Sequence, residues 1–276
     1  MAAVTDSYLF LPASHRLAIT AVPLLFLTMS TQKTPAAPPL WAPMRAPYGD
    51  CPRIFETIVV IPYEDENNGK AESEGMLKKN YPKTFAYFQK FREKMLKRPH
   101  YLQHFRAAQQ PFWSMYNVGN YTFARHRVVW REQSSQFRCA VIEATTQSAP
   151  VADAKLIVVA CNSADEAHYL AAALNSSPAR FIVESYVVKV QISTHVLKHL
   201  AIPAYSSGNP VHKALAAQSK LCHKLAAKED TTNLANAEVE LDRLAAQLWK
   251  LNNHELSRVR ATVMAGSNSE GTEGEE

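Results

Sequence analysis

The chain has 276 residues, 47% of them hydrophobic, which is enough to bury a core and long enough for one large or two ordinary domains. Its formal charge is +5, but the last ten residues carry four Glu and no base, so residues 1–266 stand at +9. Four cysteines, Cys51, Cys139, Cys161 and Cys222, lie far apart without a CxxC pair; this argues against a zinc ribbon or a disulfide framework and for reduced thiols in a cytoplasmic protein.

Residues 1–50 are rich in Pro and Ala, and prolines at 35, 38, 39, 43 and 47 block any long helix, so the segment reads as an irregular leader. The apolar run 17–29 contains Pro23 and is too short to cross a bilayer, and it lacks the basic head and cleavage site of a signal peptide; no membrane role is expected. Residues 53–62 (RIFETIVVIP) predict a strand and 63–75 an acidic loop. Behind Pro82, residues 83–97 predict a helix with Phe85, Phe88, Phe91 and Met95 on one face and Lys90, Arg92, Lys94 and Lys97 outward. Residues 101–110 read as a further short helix. In 111–131 (PFWSMYNVGNYTFARHRVVWR) the pattern after Gly119 has period two, with Tyr121, Phe123, Arg125 and Arg127 on one side of a strand and Thr122, Ala124, His126 and Val128 on the other.

The strand returns over 137–144, and a third strand is expected at 155–161. Ser163-Ala-Asp-Glu166 is a capping box that starts a helix running to about Asn175. Residues 178–190 fit either a second helix or a helix passing into a strand, and 198–203 a short edge strand closed by Pro203. Three helices follow: 211–228 with a stripe of Leu215, Ser219, Cys222 and Leu225, then 237–251 with Val239, Leu241, Leu244, Leu248 and Leu251, then 253–264. The class expected is α+β: a leader over 1–75, a mixed β-sheet recognition domain with flanking helices over 76–205, a helical segment over 206–265 and a disordered acidic tail over 266–276.

Residues 83–131 hold ten Lys/Arg against one acid, Glu93, together with twelve of the chain's 26 aromatics. Guanidinium groups fork onto phosphate oxygens and aromatic faces stack on bases, so this mixture suits a nucleic-acid surface. Catalytic motifs are harder to find. Asp165-Glu-Ala-His168 spells a helicase box, but no GK[ST] loop accompanies it and the capping reading accounts for it. No Gly-x-Gly exists for a dinucleotide or methyl donor, and Asn209-Pro210 is followed by Val211 and His212, not by the Pro-Tyr of an adenine-methylase loop. The pairs His100/His104 and His195/His199 have metal spacing without the glutamate of HExxH or a third ligand.

Several segments occur in a telling order: Tyr81-Pro82 and a basic helix ending Lys97-Arg98, Pro111-Phe-Trp113, Val118-Gly-Asn-Tyr-Thr-Phe123, Val128-Val-Trp-Arg131, Glu166-Ala-His-Tyr-Leu170, Leu174-Asn-Ser-Ser177, Ile202-Pro203, Glu240-Leu-Asp-Arg-Leu244 and Leu248-Trp-Lys-Leu251. Over residues 81–264 this order resembles the C-terminal target-recognition (TaqI-like specificity) region of adenine-specific DNA methyltransferases of restriction-modification systems. The resemblance implies that the Leu-Asn-Ser and Ile-Pro segments are structural signposts and that the strands around Tyr121 face DNA. The family's catalytic half is missing, so the chain looks like a detached recognition module, a split subunit or the remnant of a truncated gene. It would bind double-stranded DNA, bind no cofactor itself, and leave S-adenosylmethionine and base flipping to a methyltransferase catalytic subunit. Arg125, Arg127 and Arg131 would hold phosphates or read guanine, with Tyr121, Thr122 and His126 beside them near the bases. Two other readings stand: a metal-dependent nuclease using Asp153, Lys155 and Glu143, or a protein-interaction subunit docking through the helices of 211–264.

Overall fold

The computed structural model describes residues 63, 70–116, 118–134, 137–144, 150–152, 156–186, 192, 197 and 199–269. The leader and the strand expected at 53–62, the junction at 187–191 and the tail beyond 269 lie outside them. The expected α+β class holds: helices surround three strands, β1 (His126–Arg131), β2 (Cys139–Glu143) and β3 (Leu156–Cys161), in the order β2-β1-β3. Among the described strands both pairings are antiparallel, not mixed, with Val128 opposite Val141 and Val159.

Against one face of this sheet lies α5 (Ala164–Asn175), the central helix of the molecule. Ser163 caps it as expected, its hydroxyl accepting the Glu166 N–H at 3.1 Å, while the Glu166 carboxylate reaches back to the Asn162 N–H at 2.6 Å. Ala167, Ala171, Ala172 and Ala173 are fully buried, and such small side chains let helix and sheet approach closely. On the sheet side Ala167, Leu170, Ala171 and Leu174 meet Val128, Trp130, Phe137, Cys139 and Val141, with Ala179 and Val183 of α6 (Ser177–Tyr186) closing the cluster. On the opposite side Tyr169 and Ala172 meet Leu215 and Cys222 of α7 (Pro210–Ala227) and Leu241 and Leu244 of α8 (Thr231–Ala246). The layers are therefore sheet, α5 with α6, then α7 with α8, and α9 (Asn253–Ser269) packs on α6.

A separate small core holds the residues before the sheet. Leu77 of α1 (Glu74–Asn80), Phe88 of α2 (Pro82–Gln89), Tyr101, Phe112 and Trp113 are buried together. Helix α1 begins at the end of the expected acidic loop and runs through 76–80, for which the sequence pattern predicts no element; Ser73 caps it and Lys78 and Lys79 close its last turn. The single helix expected over 83–97 breaks at Lys90 and Phe91 into α2 and α3 (Arg92–Leu96). That break turns Arg92 onto the Glu74 carboxylate at 3.1 Å and over the Phe112 ring at 4.7 Å, and leaves Phe91 37% exposed instead of buried. A π-helical turn, Tyr101–Phe105, follows.

Two further expectations change. Residues 199–203 form a turn and irregular chain, not an edge strand, because side chains take the backbone acceptors: Trp249 Nε1 donates to the Leu200 carbonyl and the Tyr169 hydroxyl to that of Pro203, both at 2.8 Å. Val239, placed on the buried stripe of α8, is 44% exposed, and Leu234 and Ala237 take the inner face.

Candidate nucleic-acid interface

The period-two reading after Gly119 fails for its first half. Residues Asn120–Phe123 form a helical turn, α4, and extended pairing begins only at His126. Local bonds explain the turn: the Thr122 N–H donates to the Gly119 carbonyl at 2.9 Å and the Gly119 N–H to the Thr122 hydroxyl at 3.2 Å. Thr122 is therefore buried and engaged with its own backbone, not near a base edge. The Tyr121 ring lies over Gly119 so closely that an added Cβ there would stand 2.9 Å from it, and the ring is 40% exposed.

Arg127 is 1% exposed. It sits on the central strand, on the face turned away from α5, and its two terminal nitrogens donate to the carbonyls of Thr122 and Pro150, each at 2.6 Å. Burial lowers its pKa; the two carbonyls replace part of the lost hydration, while Nε is buried without a hydrogen-bond partner. A guanidinium held this way ties two loops to β1 and does not reach a phosphate.

His126 falls on the inner face, opposite Glu143 in the register, and burial lowers its pKa. Glu143 Oε1 lies 3.9 Å from His126 Nδ1 and 3.8 Å from Nε2 of His168 on α5. Arg131 ends the strand and is partly buried, whereas Arg125 is exposed. Of the six residues expected to contact DNA, the structure thus leaves Tyr121 and Arg125 prominently on the surface.

The exposed basic and aromatic groups are instead concentrated one segment earlier. Lys78, Lys79, Lys83, Lys90, Lys94, Lys97 and Arg106 are exposed along α1 to the π-helical turn, with Glu93 the only acid in 78–106. Beside them stand Tyr87 and Phe91, whose rings meet at 5.2 Å, and Tyr116, 52% exposed. The basic window 83–131 joins the cations from Lys83 onward to the hairpin and leaves out Lys78 and Lys79; the separate small core shows that all seven belong to a helical surface of their own.

Among the described residues no group of three or more His, Cys, Asp and Glu is set to hold a metal ion. The His100 and His104 rings stack at an interplanar angle of 17°, an arrangement of faces rather than of converging nitrogens. Asp153 and Lys155 of the nuclease reading, and His195, lie outside the described residues. No described helix is long and apolar enough to cross a membrane.

Several polar residues are interior ties, among them Asn175 and Ser177 of the Leu-Asn-Ser-Ser signpost and His223 and Glu184, to which the sequence reading gives no role. Asn175 accepts the Cys139 N–H at 2.9 Å and donates to the Cys139 carbonyl at 2.8 Å; His223 Nε2 accepts the Val141 N–H at 3.2 Å; Glu184 accepts that of Phe137 at 3.3 Å. The Cys139 and Val141 amides lie on the side of β2 away from β1, and Phe137 precedes the strand, so side chains close an edge that a further strand could otherwise extend. Asp242 accepts the Ser177 N–H and hydroxyl, both at 2.7 Å, and the Arg260 Nε at 3.1 Å. The Leu-Asn-Ser-Ser and Asp-Arg-Leu segments thus meet at the start of α6. Comparison with protein-family models, with curated proteins and with solved structures finds no match to this chain.

Proposed function

We propose that the chain is a DNA-binding target-recognition module that works in the cytoplasm beside an adenine-specific methyltransferase catalytic subunit, which would supply S-adenosylmethionine and the chemistry. The observation that carries this reading is the helical surface over 78–106, where seven exposed cations and exposed rings share one segment with a single carboxylate. Such a surface neutralises phosphates and releases counterions, which is the principal source of affinity for a polyanion. Tyr121 and Arg125, on the turn between this lobe and the sheet, extend the set. The contact surface therefore moves from the hairpin strand to the helices, and Thr122, Arg127 and His126 serve the scaffold.

The test is an electrophoretic shift with duplex DNA over a range of salt. Binding should weaken steeply as salt rises, and replacing Lys90, Lys94 and Lys97 together by Gln should reduce the slope of log K against log salt by about 2 to 3. Binding that is absent, or indifferent to salt, overturns the proposal.

A further inference from the structure

We propose that His100, His104 and Tyr116 form a stacking platform for an unpaired nucleobase, with Lys97 and Arg106 on the flanking phosphates. This rests on the nucleic-acid reading above and gives it a second, distinct contact. The three rings lie nearly parallel: His100 to Tyr116 at 5.6 Å and 11°, His104 to Tyr116 at 4.7 Å and 27°, His100 to His104 at 6.1 Å and 17°. All three residues are exposed. Rings left to solvent have no reason to hold one orientation unless the backbone beneath them is fixed, and here it is fixed twice over.

Arg98 donates to the carbonyls of Met95, Phe112 and Ser114 at 3.1, 2.7 and 2.9 Å, binding the segment that ends in Tyr116 to the end of α3. The Tyr63 hydroxyl accepts the Met115 N–H at 2.6 Å and lies 3.0 Å from the Met115 carbonyl, which sets the residue next to Tyr116. From below, the π-helical turn carries His104, and a widened turn of this kind is uncommon and concentrates at functional sites. Lys97 precedes His100 by three residues and Arg106 follows His104 by two, both exposed. Parallel, exposed aromatic faces on a segment that also carries Lys97 and Arg106 suit a planar ring joined to phosphates.

The experiment uses the full chain and two probes: a short single strand carrying 2-aminopurine, and the same sequence fully paired. The wild-type chain should quench the single strand's fluorescence. Tyr116→Ala should abolish that quenching and weaken single-strand binding on the order of tenfold, Tyr116→Phe should retain both, and duplex affinity should fall by less than single-strand affinity in each. Tyr116 lies outside the buried core, and circular dichroism of each variant checks that the fold is kept; His104→Ala gives an independent route to the same loss. If Tyr116→Ala and His104→Ala quench and bind as wild type while duplex binding stays intact, the platform is overturned and the duplex reading stands. If the single strand is bound and quenched but the duplex is not, the platform stands and the duplex reading falls. If neither probe binds, both fall.

Discussion

Arg125 and Arg127 are two residues apart and chemically identical, yet the fold assigns them opposite work. Removing Arg127 would strand the Thr122 and Pro150 carbonyls beside a cavity on the central strand, so Arg127→Ala should cost about 2–4 kcal/mol in urea unfolding. Arg125→Ala should leave stability within about 0.5 kcal/mol, since it changes an exposed position. Its effect should instead appear in DNA binding, as a fall of about 0.9 in the salt slope. The reverse assignment, with Arg127→Ala folding normally and losing only DNA, would refute the structural role given to it. Gly119→Ala is a related test: the new methyl would stand against the Tyr121 ring and displace it, so the Tyr121 ring resonances should shift in the NMR spectrum of the variant.

At the scale of the element, the covered outer edge of β2 depends on a histidine that must stay neutral. His223 Nε2 accepts the Val141 N–H, and its Nδ1 lies 2.7 Å from the Ser219 carbonyl; a second proton would set a donor against a donor. Burial, the larger cause, already pushes the His223 pKa down to about 4. Its neighbour His168 is pushed down to about 3, by burial first and then by the charges of His223 and Lys220, while Asp165 acts the other way. Ser219 and Glu143 complete the surroundings of this pair. Both rings hold a proton more weakly in the folded chain than in the unfolded one, where the ordinary value is 6.5. Below pH 6.5 the unfolded chain therefore binds more protons, and stability is full above that pH and lost as pH falls toward 4. Stability should therefore fall steadily from pH 6.5 downward, by more than one proton's worth, because His126 is shifted in the same direction. Urea midpoints measured from pH 7 to 4.5 check this, and midpoints that stay flat over that range would contradict it.

For the molecule as a whole, the polar ties determine how the layers are joined. Helix α6 begins on the Asp242 carboxylate of α8, which also holds Arg260 of α9, so one side chain links three helices. Burial raises the Asp242 pKa and its hydrogen bonds to Ser177 oppose that shift. Asp242→Ala should destabilise the chain by about 3–5 kcal/mol, because it leaves Arg260 and the first turn of α6 without their acceptor, and Asp242→Asn should cost less. Equal unfolding midpoints for wild type and Asp242→Ala would show that the link carries no weight. The lobe over 71–113 has its own core, so these substitutions should leave the salt dependence of DNA binding unchanged.

Much of the scaffold was legible from local chemistry. The Ser163 cap of α5 and the apolar stripe that marked α7 from Val211 onward rest on patterns within a few turns, and such patterns are written into adjacent letters. So was the concentration of positive charge in 83–131. What the letters could not give was which arginine faces outward, because an Arg reads as surface until a Pro150 carbonyl, 23 residues away, is brought to meet it. The stacking of His100 on Tyr116, the closure of β2 by Asn175 and His223, and the joining of Ser177 to Asp242 have the same character. Each brings together groups 16 to 82 residues apart in the chain, and their burial and pairing are settled only when the layers pack.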